Sequence, residues 1–284
     1  MSKVIDFRSG NLFDNVYEHL ALPESTFLGT RITKKMILEN NDLSSSDKKL
    51  VNDVIQSVEW LNALKPETLN IPTYITEMVE YIEIAVLKVS LKDDTTNRGK
   101  LKSTAKLFHT LIPYPVILLL ELNGDVAISL ADKCINQADS SKLIIKHFYT
   151  THWFNTVNLK NNENEFLNDF SMKNVSSINL YEAYQNQVSM IINLEISHLS
   201  QTYTPLIKYN VNDYLLSQSF GQTVNSNRKN ILNKIKDLEL ELNTIKKKIK
   251  GETQMKERLV LNLQARKVKD ELSTLKKNII AHLL

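Results

Sequence analysis

Glycine is scarce in this chain of 284 residues: six in all, at positions 10, 29, 99, 124, 221 and 251. No two lie close enough to build a Walker-A loop, a GxGxxG turn, a kinase glycine loop or a GxSxG elbow, so those common phosphate-cradling and nucleophile-presenting classes are excluded. Cysteine is scarcer still. The one thiol, Cys134, excludes an intramolecular disulfide and any multi-cysteine zinc site, and it fits a reducing compartment. Long apolar runs are missing: the longest unbroken aliphatic stretch is Val116 to Leu120, and Met1 to Arg8 hold no apolar signal segment. The expectation is a cytoplasmic, soluble protein with no membrane contact. Apolar residues, by contrast, make up 42% of the chain, enough for a real core in one large domain or two ordinary ones.

Net charge is nearly absent as well, at +3, but the charges are unevenly placed. Residues 228–284 hold 15 Lys+Arg against 7 Asp+Glu, leaving 20 against 25 for residues 1–227. A basic tail on an acidic body points to an acidic partner.

Along the chain, Leu12, Phe13, Val16, Tyr17 and Leu20 recur at helical spacing before Leu22-Pro23 ends the pattern. Ser44 and Asp47 offer a capping box, and Leu50, Val51, Val54, Ile55, Val58 and Leu61 predict an amphipathic helix reaching Lys65-Pro66, with Trp60 near its end. Residues 81–91 are apolar on both alternating faces, as in a central strand. A polar turn over 93–99 precedes a helix that stops at Pro113, with His109 capping or solvated near its end. Val116 to Leu122 and Val126 to Leu130 flank Asn123-Gly124, a two-residue hairpin signal, and Lys142 to Tyr149 reads as a further strand. The asparagine-rich stretch 155–175 has no period and reads as irregular. A long helix follows, with Ser177 as its N-cap and Leu180, Tyr184, Val188, Ile191 and Leu194 as its stripe. Residues 201–227 read as loop with a short apolar piece at Tyr214 to Phe220.

The last segment differs in kind. Ile231, Ile235, Leu238, Leu242, Ile245 and Ile249 form one seam, and Leu261, Ala265, Val268, Leu272, Leu275 and Ile279 form another. Gly251 between them, in a left-handed conformation, turns the two helices into an antiparallel hairpin; a continuous helix dimerising through both seams is the rival. The fold class is therefore α+β. A helical N-terminal portion and a mixed β-sheet with flanking helices make the body, 1–227, and a basic coiled-coil hairpin occupies 228–284.

Several ordered blocks resemble one bacterial family, the domain of unknown function numbered 4391. They are Leu22-Pro23-Glu24-Ser25-Thr26, Arg31-Ile32-Thr33-Lys34-Lys35, Glu59-Trp60-Leu61, Leu64 through Ile71, Ile112-Pro113-Tyr114-Pro115, Ala131-Asp132-Lys133 and Thr151-His152-Trp153. Thr33 stands where the family pattern has proline. The resemblance implies no established activity. It does imply a genetic setting beside helicases and DNA methyltransferases, in phage-defence or restriction-like cassettes.

For function, Lys246, Lys247, Lys248 and Lys250 cluster near the hairpin tip, and Lys256, Arg258, Arg266, Lys267 and Lys269 follow on the returning helix. These nine are the candidates for nucleic-acid or acidic-partner contact. Without interleaved aromatics any nucleic-acid binding is electrostatic and sequence-independent. His147 and His152, five apart on a strand, point to opposite faces and make no metal pair, while His19, His198 and His282 are scattered singly. A nuclease centre would need Glu80, Glu83 or Glu121 converging with a lysine, and the Glu-x-Lys pattern is missing after Glu121. No catalytic set, metal or cofactor is therefore expected. The reading is a non-catalytic accessory subunit of an anti-phage or restriction-like DNA-processing complex, docked on a helicase, nuclease or methyltransferase. The alternatives are a divergent metal-dependent nuclease and a self-assembling coiled-coil protein, a homo-oligomer through its seams.

Overall fold

A computed structural model of the chain describes residues 7, 10–39, 43–176, 178–205 and 221–281, with side chains left undescribed at 140–142 and 221–224. A six-stranded mixed sheet forms its middle layer, in the order β1 (Phe27–Arg31), β2 (Ile55–Leu64), β5 (Ile84–Leu91), β6 (Val116–Leu122), β7 (Asp125–Asn136), β8 (Asp139–Thr150). Two short strands, β3 (Tyr74–Ile75) and β4 (Glu80–Tyr81), pair separately. All sheet neighbours are antiparallel except β5 and β6. That parallel pair needs a crossover, which α5 (Leu101–Leu111) supplies.

Both faces of the sheet are covered. On one, Ile84, Val86, Ile117, Leu119, Val126 and Ile128 join a cluster with α1 (Leu12–His19), α6 (Asn161–Asp169) and α7 (Leu180–Ser200). On the other, Ala85, Leu87, Val89, Leu118 and Leu120 pack with Val51 of α3 (Ser45–Asp53) and with Ala105 and Phe108 of α5. β5 is the central strand its two-sided apolar pattern implies. α2 (Lys34–Leu38) and α4 (Pro66–Leu69) are single turns of connecting chain. The Asn123-Gly124 turn has φ of 54° and 82°, the doubly positive geometry whose twist suits a two-residue hairpin.

Four expectations need correction. The capping box of Ser44 and Asp47 is present, but α3 ends at Asp53 and residues 55–64 form β2. Two register shifts, between Ile55 and Ser57 and between Trp60 and Asn62, each add a residue to the strand. Bulges of this kind put residues three apart on one face, which imitates a helical period. Ile55 and Val58 accordingly share one apolar cluster, whereas Leu61 and Leu64 belong to the other. Second, the asparagine-rich stretch contains α6, anchored by buried Phe166 and Leu167 and started by the Glu163 carboxylate, which accepts the Lys160 N–H at 3.0 Å. Third, α7 is capped by Asn179, whose side chain accepts the Glu182 N–H at 2.8 Å; Ser177 and the apolar piece Tyr214 to Phe220 lie outside the described residues. Fourth, His109 is not solvated: it is 1% exposed, with its Nε2 3.0 Å from Ser129 Oγ.

The chain ends in two long helices, α8 (Gly221–Gly251) and α9 (Met255–Ala281), so 221–227, read from the sequence as loop, are the first two turns of α8. They pack on each other, and the root of α8 lies on α7. At 1.5 Å per residue the hairpin extends about 45 Å. α7 is thus covered by sheet on one side and by helix on another, which is why its burial runs far beyond a single stripe.

Candidate partner-binding hairpin and adjoining cleft

The two seams meet within one chain. Leu238, Ile245, Val268 and Leu272 form a buried cluster, joined by Leu242, Ile249, Leu261, Ala265 and Leu275. Nearer the root, Leu232, Ile235 and Ile279 belong to the main cluster of the body, with Ile231 and Leu275 packed against it. Gly251 does not make the turn in a left-handed conformation, since it is the last helical residue of α8. Glu252 to Gln254 make it, and the Glu252 carboxylate accepts the N–H groups of Thr253 and Gln254 at 2.9 Å each. That carboxylate satisfies amides at the start of α9 that have no helical partner of their own.

Charge is sorted along the hairpin. At the root, Lys229 and Lys236 both meet Glu195 of α7, at 2.8 and 3.3 Å. Across the hairpin, Lys234 meets Glu271 at 2.7 Å and Lys276 meets Glu239 at 2.6 Å. Toward the tip, Lys246, Lys247, Lys248, Lys250, Lys256, Arg258, Arg266, Lys267 and Lys269 are all exposed. None of these nine forms an ion pair among the described residues. Glu241, Glu252 and Glu257 stand on the same outer stretch, but cations outnumber them there and none of the three pairs with the nine among the described residues.

A cleft of about 650 Å³ lies where the body meets the hairpin root, walled by Trp153, Leu101, Leu194, Leu232 and Ile235. At its edge His152 Nε2 lies 2.8 Å from Glu163 Oε1, and the His198 ring lies edge-on at 5.1 Å. Burial and the neighbouring His152 push the His198 pKa down. The sequence separates these three residues by 11 and 35 positions, and the helix that carries Glu163 had no periodic signal, so their meeting was not legible. Glu163 also caps α6, so the pair ties the exit of β8 to α6. His147 stands apart, 6.2 Å from the Tyr149 ring.

The carboxylates weighed for a nuclease are not brought together. Glu83 precedes β5 and meets Lys65 at 3.4 Å, whereas Glu121 ends β6, held by Lys88 at 2.9 Å and by the Ser90 hydroxyl. These are opposite ends of a parallel strand pair, on the order of 20 Å apart. Glu80 lies in β4, exposed. Among the described residues no three His, Cys, Asp or Glu gather to hold a metal ion.

Some of the sequence blocks singled out above meet one another, and others hold neighbouring parts of the body. Lys133, in β7 opposite a bulge of β8, donates its ammonium to the carbonyls of Ile112 and Tyr114 at 2.5 Å each, and burial lowers its pKa to about 7. Asp132 beside it accepts from the Tyr149 hydroxyl at 2.5 Å and from Gln185 at 2.9 Å, and burial raises its pKa. The Ala131 N–H donates to the Tyr184 hydroxyl at 2.9 Å. Trp60, in β2 and not on a helix, donates its indole N–H to the Asn62 carbonyl at 2.9 Å and lies 6.4 Å from the Tyr114 ring. Asn62 in turn donates to Thr26 Oγ1 at 2.8 Å. Apart from the Trp60 indole, each of these polar groups finds a partner on another part of the body, which favours this one packing.

The profile of a family described as a domain of unknown function (DUF4391) matches residues 20–272. No curated protein and no solved structure gives a match.

Proposed function

The chain belongs to the DUF4391 family, and we propose that it works as a non-catalytic accessory subunit of a bacterial anti-phage or restriction-like DNA-processing complex. In this reading the body docks on a larger helicase, nuclease or methyltransferase, and the hairpin reaches nucleic acid or an acidic partner surface. The observation that carries it is the sorting of charge: nine exposed cations along a projecting hairpin, without ion-pair partners among the described residues. Cations so placed are free to neutralise phosphates and release counterions. The genetic setting that the family resemblance implies supports the choice of partner.

The test is fluorescence anisotropy with labelled single- and double-stranded DNA over a salt series. Affinity is expected to fall steeply with salt and to be independent of sequence. Replacing Lys246, Lys247, Lys248 and Lys250 by Gln is expected to reduce the log–log salt slope by about 3 and to weaken binding at low salt by about tenfold or more. An unchanged slope would move any contact away from the hairpin.

A further inference from the structure

The hairpin carries a second surface that its cations do not explain. Met255, Leu259 and Leu263 recur every fourth residue along α9, and they are 81%, 64% and 55% exposed; Val260 beside them is 42% exposed. At about 100° per residue, Leu259 and Leu263 lie on the side of the helix opposite the seam residues Leu261, Ala265, Val268 and Leu272. The apolar line therefore points away from α8, and no described element covers it. Lys256, Arg266 and Lys267 border it, exposed and without ion pairs among the described residues, and Arg258 and Lys269 stand on its far shoulder. A phosphate backbone rewards those cations but offers nothing to a row of leucines.

We propose that this face of α9 docks an acidic amphipathic helix of a partner protein. The partner's apolar stripe would cover Met255, Leu259 and Leu263, and its carboxylates would meet the flanking Lys and Arg. The proposal rests on the hairpin being the contact element, as in the preceding reading, and names the chemistry of the partner. Charge selects the occupant. A second copy would bring like-charged shoulders together, which costs energy on contact. An anionic membrane would match in charge, but the line from Met255 to Leu263 is only about 12 Å long and includes no Trp or Phe to anchor in a lipid interface. A helix laid along a helical hairpin buries such a line through i, i+3, i+4 and i+7 anchors.

The experiment uses the full chain and a labelled synthetic peptide of about 20 residues, with leucine at helical i, i+3, i+4, i+7 positions and glutamate on the remaining faces. Its controls are a scrambled peptide of equal composition, labelled duplex DNA and phosphatidylserine vesicles. One variant, Leu259→Ser with Leu263→Ser, leaves every charge and the seam in place; circular dichroism and an unchanged melting curve establish that it folds. The ordered peptide is expected to bind at least about tenfold more tightly than the scrambled one, and the serine pair to lose about tenfold in peptide affinity while keeping its DNA affinity. Equal binding by the two peptides, or an undiminished peptide affinity in the serine pair, would overturn the docking proposal. A serine-pair loss seen only with vesicles would replace the protein helix with a membrane. The charge reading fails separately, when the lysine-to-glutamine variant keeps its full salt slope on DNA.

Discussion

His109 shows how one residue couples burial to solution conditions. Its ring is enclosed at the end of α5, against Ser129 and 6.0 Å from the Phe148 ring, and burial with the nearby Lys133 lowers its pKa from 6.5 to about 3. The unfolded chain takes up a proton near pH 6.5, whereas the folded one does so only near pH 3. Between those values the unfolded state binds more protons. The contribution of His109 is therefore complete above about pH 6.5 and is lost as pH falls toward 3, by up to about 1.4 kcal/mol per pH unit. His109→Gln is expected to flatten the pH dependence of the urea unfolding free energy between pH 6.5 and 4 relative to the parent. Parallel curves would show that the ring is protonated in both states alike. The sequence reads this histidine as capping or solvated near a helix end, and the burial could not be seen there because a single polar residue carries no periodicity. His152, Glu163 and His198 were hidden for the complementary reason: their meeting depends on the packing of β8, α6 and α7.

At the scale of elements, two glycines that the sequence marks as turns behave differently. Gly124 has φ +82°, and nothing lies within 4 Å of an added Cβ, so Gly124→Ala meets only the conformational penalty. A loss of about 1 kcal/mol is expected. Gly251 is helical, and its added Cβ also meets open space. Gly251→Ala is expected to stabilise the hairpin by about 0.5 kcal/mol, because alanine loses less backbone entropy in a helix. Urea midpoints of the two variants should move in opposite directions, and a loss at both would restore the left-handed turn that the sequence suggests for Gly251. Elements were legible wherever local chemistry decided them: Asn123-Gly124, the Ser44 capping box, the Pro113 stop, and the seams at three- and four-residue spacing. They were illegible where tertiary pairing did, as in β2, whose bulges space Ile55 and Val58 like helix neighbours. The line Met255, Leu259, Leu263 was not legible, because only the direction of the seam shows that it faces solvent.

For the molecule as a whole, the basic segment is continuous with the body it extends. Leu232, Ile235 and Ile279 are 3%, 2% and 1% exposed within the body's main cluster, and Asn225 of α8 donates to the Gln185 backbone carbonyl of α7 at 3.1 Å. Three such side chains contribute roughly 5–9 kcal/mol of burial at about 1.5–3 kcal/mol each, which rivals the entire stability of an ordinary domain. Removing residues 228–284 also strands the Glu195 carboxylate, which is 13% exposed, without Lys229 and Lys236. Truncation at that boundary is therefore expected to unfold the body or to lower its melting temperature sharply. Excising 242–264 and joining the helices by a short glycine-containing turn should leave the root and the melting of the body nearly intact. Calorimetry on the two deletions separates the cases. A 1–227 fragment that melts like the full chain would establish the body as independent of the hairpin. A fragment that unfolds, beside a shortened hairpin that does not, would establish that the charged tip is carried on a root built into the body's own core.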